Sequence, residues 1–567
     1  MNVPHGARRA LAVAVAVTLG LAGVSASAAG ASPTRSPGDP ATRLGPSPAD
    51  AAVTLTLVLR FPGRDALAAY LAGQRLQATP TSLTPTQIGE RFGLPATQLD
   101  AVTARLGSAG IRVTERYDQR TALLAEGSVR DVERLFQVRL DDYRTRDGTR
   151  YRAPSRPPRI LADLAASVAD VEGLDTRPAF APASTGRQTG GASSATFVTP
   201  QQLKQIYNAG PLTQAGIDGQ GETIAIASLA TLHGPEFADW ASHFKTTTAP
   251  SQTISIAPAA PRAGQRDWSA NQSDEVALDL EMSRAVAPKA TILDYATEND
   301  GDGIERIVNQ VVQDRRATIV SISYGICEPE RGAAAINGYE STFMAAQAAG
   351  IDVFAASGDS GPYDCNDSNH TNDLRESVNY PASSAYVTAV GGTTLSNLGD
   401  SLHETAWQEP AALAGSGGGR SAFVPRPAWQ TPAVVHQSGS TRLVPDVAGP
   451  ASPDFNLLIA DYQSNRVVLE TGGGTSAATP FWAGLTALVK QYVRGREHSF
   501  PDGNVTAILY QIANSPSMYQ SAFHDVIAGG NQVFTAGSGW DFLTGLGTPN
   551  IAGLANAFDT LVHSGRP

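Results

Sequence analysis

Four apolar stretches, GETIAIASLA, ATILDYA, ATIVSISYG and IDVFAASGD, constrain this chain most. Each reads as a buried strand. Helical segments alternate with them, as in DEVALDLEMSRAVA and GYESTFMAAQAAG. Buried strands alternating with helices predict a parallel sheet flanked by helices on both faces, an α/β fold, over residues 197–567. Reactive groups in such a fold gather near the carboxyl ends of the strands.

The part before it has a different grammar. VTLTLVLRF alternates as a strand, and helical patterns follow over 64–73 and in LTPTQIGERFGL. TQLDAVTARLGSAG reads as a helix closed by Gly110, IRVTERY and TALLAEG as paired strands, SVRDVERLF as a helix opened by a serine cap, and VRLDDYR as a further strand. This order predicts a small α+β domain with a split βαβ pattern over 51–177. PAFAPASTGRQTGGASSAT has no apolar period, which makes 178–196 a linker open to cutting. Residues 29–50 are rich in Ala, Pro and Ser and are expected to be disordered. Arg8 and Arg9, an apolar run and Ala26-Ser27-Ala28 give 1–28 the form of a secretory signal, so the chain is expected outside the cell. No later apolar run approaches a membrane span. A net charge of −11 over 567 residues argues against nucleic acid or an anionic membrane as partner. The two cysteines, Cys327 and Cys365, are compatible with one disulfide in an exported protein or with two buried thiols, and are too few for a zinc site.

TGGGTSAATPFWAG holds the candidate nucleophile, Ser476, where a glycine-rich loop feeds a buried helix. A serine hydroxyl needs a base. Of nine histidines only His233, in TLHGPEF, has a neighbouring glycine of the right kind, and it lacks the small-residue helix start such a turn needs. In SDEVALDLEMS, Glu275 and Asp279 fall one helical turn apart on one face. Such a pair is either a solvated helix face or two carboxyls sharing a proton, one of which can take the serine proton. Asp359, in AASGDSG after an apolar strand, is either a turn former or, when protonated, a hydrogen-bond donor to a developing oxyanion.

Together EVALD, SGDSG and GGTSAATP, in that order along the chain, resemble the motifs of the sedolisin family, the serine-carboxyl peptidases that include kumamolisin-like proteins. Gly473 stands where the family has the first Ser of its nucleophile motif. The resemblance implies a subtilisin-like catalytic domain with Ser476 as nucleophile, Glu275 as general base, Asp279 orienting Glu275, and Asp359 in the oxyanion hole. It also implies a ferredoxin-like pro-domain over 51–177, carried by LTPTQIGERFG, LGSAGIRV, VERLFQVRLDDYR and VADVEGL, which covers the active site as an intramolecular inhibitor until the linker is cut. One structural calcium ion is expected in the C-terminal loop, on Asp525, Asp541 and the carbonyls of Val526, Gly537 and Gly539. An ordinary subtilisin fits poorly, with Ser228, Asp359 and Phe481 standing where its pattern differs. The expectation is a secreted, monomeric, acid-active serine endopeptidase acting on proteins or peptides. A tripeptidyl-peptidase of the same family, a serine esterase and a calcium-stabilised binding protein without turnover are the alternatives.

Overall fold

The computed structural model describes residues 41–74, 81–146, 148–183, 198–232, 235–246, 249–258, 273–366, 373–396, 403–410, 413–453, 458–463 and 466–564. The expected signal, residues 29–40, His233 and linker residues 184–196 lie outside them.

Seven strands build the N-terminal part: β1 (Thr42–Pro46), β2 (Ala52–Leu59), β3 (Arg112–Arg116), β4 (Ala122–Ser128), β5 (Leu140–Arg144), β6 (Arg150–Pro154) and β7 (Val168–Glu172). Four of them form an antiparallel sheet in the order β3-β4-β2-β7, so the first strand of the sheet lies between its third and fourth. Helices Arg64–Gln74, Pro85–Phe92 and Ala96–Ser108 connect β2 to β3, and Val129–Phe136 follows β4. This is the expected split βαβ, ferredoxin-like arrangement. The expected serine cap is present, with Ser128 Oγ accepting from the Asp131 N–H at 3.2 Å. The alternating residues of β2, Val53, Leu55, Leu57 and Leu59, enter a core with Leu99, Val102, Leu106, Val132 and Phe136.

One expectation fails here. The 29–50 segment is not irregular to its end, because Thr42–Pro46 pairs antiparallel with β5. TRLGP shows no apolar alternation. Backbone pairing holds it, together with an ion pair of 2.6 Å from Arg43 to the buried Asp141.

Next along the chain are β8 (Ala181–Pro182), β9 (Thr223–Ser228), β10 (Ser251–Ser255), β11 (Thr291–Ala296), β12 (Ile319–Ile322), β13 (Tyr324–Cys327), β14 (Asp352–Ala356), β15 (Asn379–Tyr380), β16 (Thr388–Ser396) and β17 (His403–Ala406). The main sheet runs β10-β11-β9-β12-β14-β16-β17, with Val447–Pro450 also beside β16. All its pairings are parallel except β16 with β17. The chain leaves β9 for one side of the sheet and returns to the other, so the direction switches between β9 and β12. Helix Thr475–Arg494 is apolar nearly all round and buried along most of its length. It packs on helix Ser273–Val286, and Gly484 permits the approach: a Cβ there would stand 3.1 Å from the Ser283 carbonyl oxygen.

The two parts share a surface. Leu67, Leu71, Ile88 and Phe92 pack against Met344, Ala345 and Ala348 of helix Ala333–Ala348. The Thr121 hydroxyl and the Gln119 amide both donate to Asn309 Oδ1, at 2.5 and 3.2 Å. Cys327 and Cys365 form a disulfide. Among the described residues no helix is long and apolar enough to cross a membrane.

Candidate active site

The switch between β9 and β12 collects the candidate residues. Glu275 and Asp279 lie in the first turns of helix Ser273–Val286, Ser323 directly follows β12, Asp359 follows β14, and Ser476 is the second residue of helix Thr475–Arg494. Gly474, with φ +98°, turns the chain into that helix, a conformation costly for any residue with a Cβ.

Ser476 and Ser323 are bonded several ways. Ser476 Oγ donates to the Ser323 carbonyl at 3.2 Å. Pro480 has no N–H to give back to the Ser476 carbonyl, and Ser323 Oγ stands 3.3 Å from that oxygen. Ser323 Oγ also donates to Asp279 Oδ1 at 2.5 Å. The Ser323 hydroxyl has one proton, and the shorter bond gives it to Asp279 while the oxygen lies beside the backbone of the nucleophile. The sequence marks Ser323 only through SISYG, Ser321 to Gly325, which the family resemblance makes one wall of the substrate cleft; nothing in it assigns the Ser323 hydroxyl a role.

Asp279 and Glu275 are both buried, on one helix face as their spacing predicted. Burial pushes the Asp279 carboxyl well above the ordinary carboxylate range, and the charge of Glu275 pushes it further. The Tyr324 hydroxyl is raised mainly by burial and then by the charges of Glu275 and Asp279, which places it beside the pair.

Asp359 is arranged differently. Its Oδ1 accepts from the Thr475 N–H and the Thr475 hydroxyl, both at 2.8 Å. Its Oδ2 is enclosed and has no hydrogen-bond partner among the described residues, although the residue as a whole keeps some exposure. Enclosure raises this carboxyl well above its usual range, the Thr475 bonds offset part of that, and the Glu275 charge adds to it. A proton on Oδ2 would have its donor direction unused. Among the described residues no histidine is bonded to Ser476.

The groove beside Ser476 is filled by the chain's own linker. Strand β8 pairs antiparallel with β13, Pro182 opposite Tyr324 and Ala181 opposite Gly325. The Ala183 N–H donates to the Ser323 carbonyl at 2.9 Å, and the Ala183 carbonyl accepts from the Ser476 N–H at 2.9 Å. Upstream, Asn299 Oδ1 accepts from the N–H groups of Ala179 and Phe180, at 3.2 and 3.0 Å, while its amide donates to the Phe180 carbonyl at 2.8 Å. The first residues of the linker are therefore an extended, fixed strand rather than loose chain.

The C-terminal loop brings its expected residues together. The Gly539 N–H donates to both Asp525 oxygens, at 3.1 and 2.9 Å, and the Gly537 N–H to Asp541 Oδ2 at 2.9 Å. Asp541 Oδ1 accepts from Leu543 and Thr544. The Tyr519 hydroxyl is raised first by burial and then by the charges of Asp525 and Asp541. Val526 is buried next to Asp525. Among the described residues no three His, Cys, Asp or Glu side chains group as a metal site, so further ligands here would be backbone carbonyls. Two carboxylates with backbone carbonyls would form the all-oxygen donor set that calcium takes, and here all four carboxylate oxygens accept from backbone N–H groups.

Residues 39–177 match the family described as "Pro-kumamolisin, activation domain", and residues 263–541 the "Subtilase family". The chain is 31% identical to kumamolisin of Bacillus sp. (strain MN-32), across 89% of this chain and 91% of that protein. It is 28% identical to sedolisin of Pseudomonas sp. (strain 101), across 83% and 80%. Tripeptidyl-peptidase 1 of Canis lupus familiaris is 29% identical, across 71% and 72%. A solved structure of Pseudomonas sedolisin, a serine-carboxyl proteinase complexed with pseudo-iodotyrostatin, superposes with a TM-score of 0.55 at 29% identity, covering 65% of this chain and 99% of that one.

Proposed function

Because the chain belongs to the sedolisin family of serine-carboxyl peptidases, with its pro-domain in place, we propose that it is a secreted, acid-active endopeptidase that cuts its own linker after Ala183. The observation that carries this reading is the Ala183 carbonyl on the Ser476 N–H, where the carbonyl of a bond about to be cleaved belongs. Ser476 Oγ attacks that carbonyl carbon and its proton passes to Glu275. The oxyanion is held by the Ser476 N–H and by protonated Asp359. Collapse breaks the bond to residue 184, whose amine takes the proton from Glu275 and leaves an acyl-enzyme that water hydrolyses. Burial and the neighbouring Glu275 raise the Asp279 carboxyl, so the acid pair holds a shared proton more readily than an isolated carboxylate would.

Two further observations support details. The bound strand runs on upstream through Phe180 and Ala179, both gripped by Asn299, so the groove holds more than three residues before the proposed cut, as an endopeptidase requires. The Cys327–Cys365 disulfide suits an oxidising compartment, in keeping with the signal-like N-terminus. The test is to acidify the purified precursor and read the new N-terminus. The expected mature chain begins at Ser184 and digests unfolded protein at acid pH. A first cut elsewhere, or an inert product, contradicts the proposal.

Asp525 and Asp541, with the carbonyls of Val526, Gly537 and Gly539, would hold calcium, which would supply structural cross-linking of the loop. Chelation is expected to lower the melting temperature by several degrees, since saturating a site at about 100 Kd adds roughly 2.7 kcal/mol. An unchanged melting curve with and without chelator would remove calcium from the description.

A further inference from the structure

Phe180 has a place of its own. Its backbone is held on both sides by Asn299, and its ring is 2% exposed. The Arg331 guanidinium stands 5.7 Å from the ring centre on one side and 4.4 Å from the Tyr339 ring. Glu305 fixes that guanidinium, with Arg331 Nη2 at 2.8 Å from Glu305 Oε1, and the Gly301 carbonyl takes its other arm. Phe180 belongs to the same buried cluster as Ile326, Ala335 and Ile336. Asn299, Glu305, Arg331 and Tyr339 all belong to the part of the chain that follows the linker, while Glu172 of the N-terminal part also faces Arg331 and Tyr339, so removing that part opens one wall of the cavity and leaves the groups that grip Phe180 in place. By contrast, the side chains of Ala181 and Pro182 are only partly covered.

Counting back from Ala183, Phe180 is the fourth residue before the proposed cut. We propose that Asn299 and Arg331 form a substrate subsite for the fourth residue upstream of the cleaved bond, one that takes an aromatic side chain. The inference rests on the peptidase reading above and adds to it where selectivity resides. An aromatic face against a guanidinium already oriented by Glu305 gains both apolar burial and cation–π attraction. The three hydrogen bonds of Asn299 act on backbone alone, so they set register and extent rather than side-chain choice.

The test uses the mature enzyme and quenched fluorescent peptides that share one leaving segment and differ in what precedes it: Phe-Ala-Pro-Ala, Ala-Ala-Pro-Ala, and acetylated Ala-Pro-Ala. Burial of a full aromatic side chain predicts a kcat/KM roughly 10- to 100-fold higher for the Phe peptide than for its Ala counterpart. Arg331→Met should bring that ratio down several-fold. Asn299→Ala should shrink the advantage that four-residue peptides hold over acetylated Ala-Pro-Ala. If Arg331→Met does not fold, the wild-type ratio decides alone. Equal rates for the Phe and Ala peptides, or cleavage at another bond, overturn the subsite while leaving peptidase activity standing. Failure to digest any peptide or unfolded protein overturns the peptidase reading, and the subsite with it.

Discussion

Ser476→Ala yields a precursor that stays in one piece in acid. Ser476 holds the Ala183 carbonyl on its N–H and carries its hydroxyl on the same residue, and no histidine among the described residues is bonded to it to offer another route. Removing such a group takes away covalent catalysis while leaving the oxyanion donors and the bound strand unchanged, so the rate falls by about 10⁴-fold or more. The variant should fold normally, since Ser476 Oγ makes one bond, to a carbonyl that already accepts from Ala183. Intact mass over days at acid pH reads the result. Processing of the pure variant at the wild-type rate would show that another residue does the cutting.

Replacing Asp359 should have the next largest effect, and in two opposite ways. Asp359→Ala removes an oxyanion donor and should lower kcat by about 10²- to 10³-fold. Asp359→Asn is different. The asparagine oxygen can keep both bonds from Thr475, and its amide can donate where Oδ2 now lies enclosed. The sign of the pH effect follows from the raised carboxyl. Below its folded-state pKa, Asp359 is neutral and donates. As pH rises through that value it ionises, the donor disappears, and a negative charge faces the oxyanion. Wild-type activity therefore falls on the alkaline side, and Asp359→Asn should carry its activity further towards neutral pH. Identical alkaline limbs for the two proteins would remove Asp359 from the oxyanion hole.

Much of this is legible in the amino-acid sequence. Buried strands such as TILDYA and DVFAA announce themselves because both sheet faces are covered, and the Glu275–Asp279 spacing fixes a shared helix face. The pairing of Thr42–Pro46 was hidden because TRLGP is held by backbone bonds and by Arg43 on a distant acid, neither of which leaves a periodic trace. Ser323 was hidden for a related reason: two of its contacts use its backbone carbonyl, which every residue possesses. Asn299 and Arg331 come from loop and short-helix text with no motif. Residues 178–183 read as featureless because their order is imposed by the groove that receives them. The cysteines stand 38 residues apart, and only the fold brings their Cα atoms to 5.0 Å.

The strand laid in the groove has a kinetic corollary. Severing the bond after Ala183 turns a carbonyl into a terminal acid but leaves Phe180 lodged, Asn299 clasping the backbone, and β8 still zipped to β13. Scission and departure are thus distinct events, and loss of the tether is what first makes escape a matter of dilution. A freshly cut preparation would be a one-to-one complex whose own severed arm competes with foreign chains, waking as it is diluted rather than at the instant it is cut.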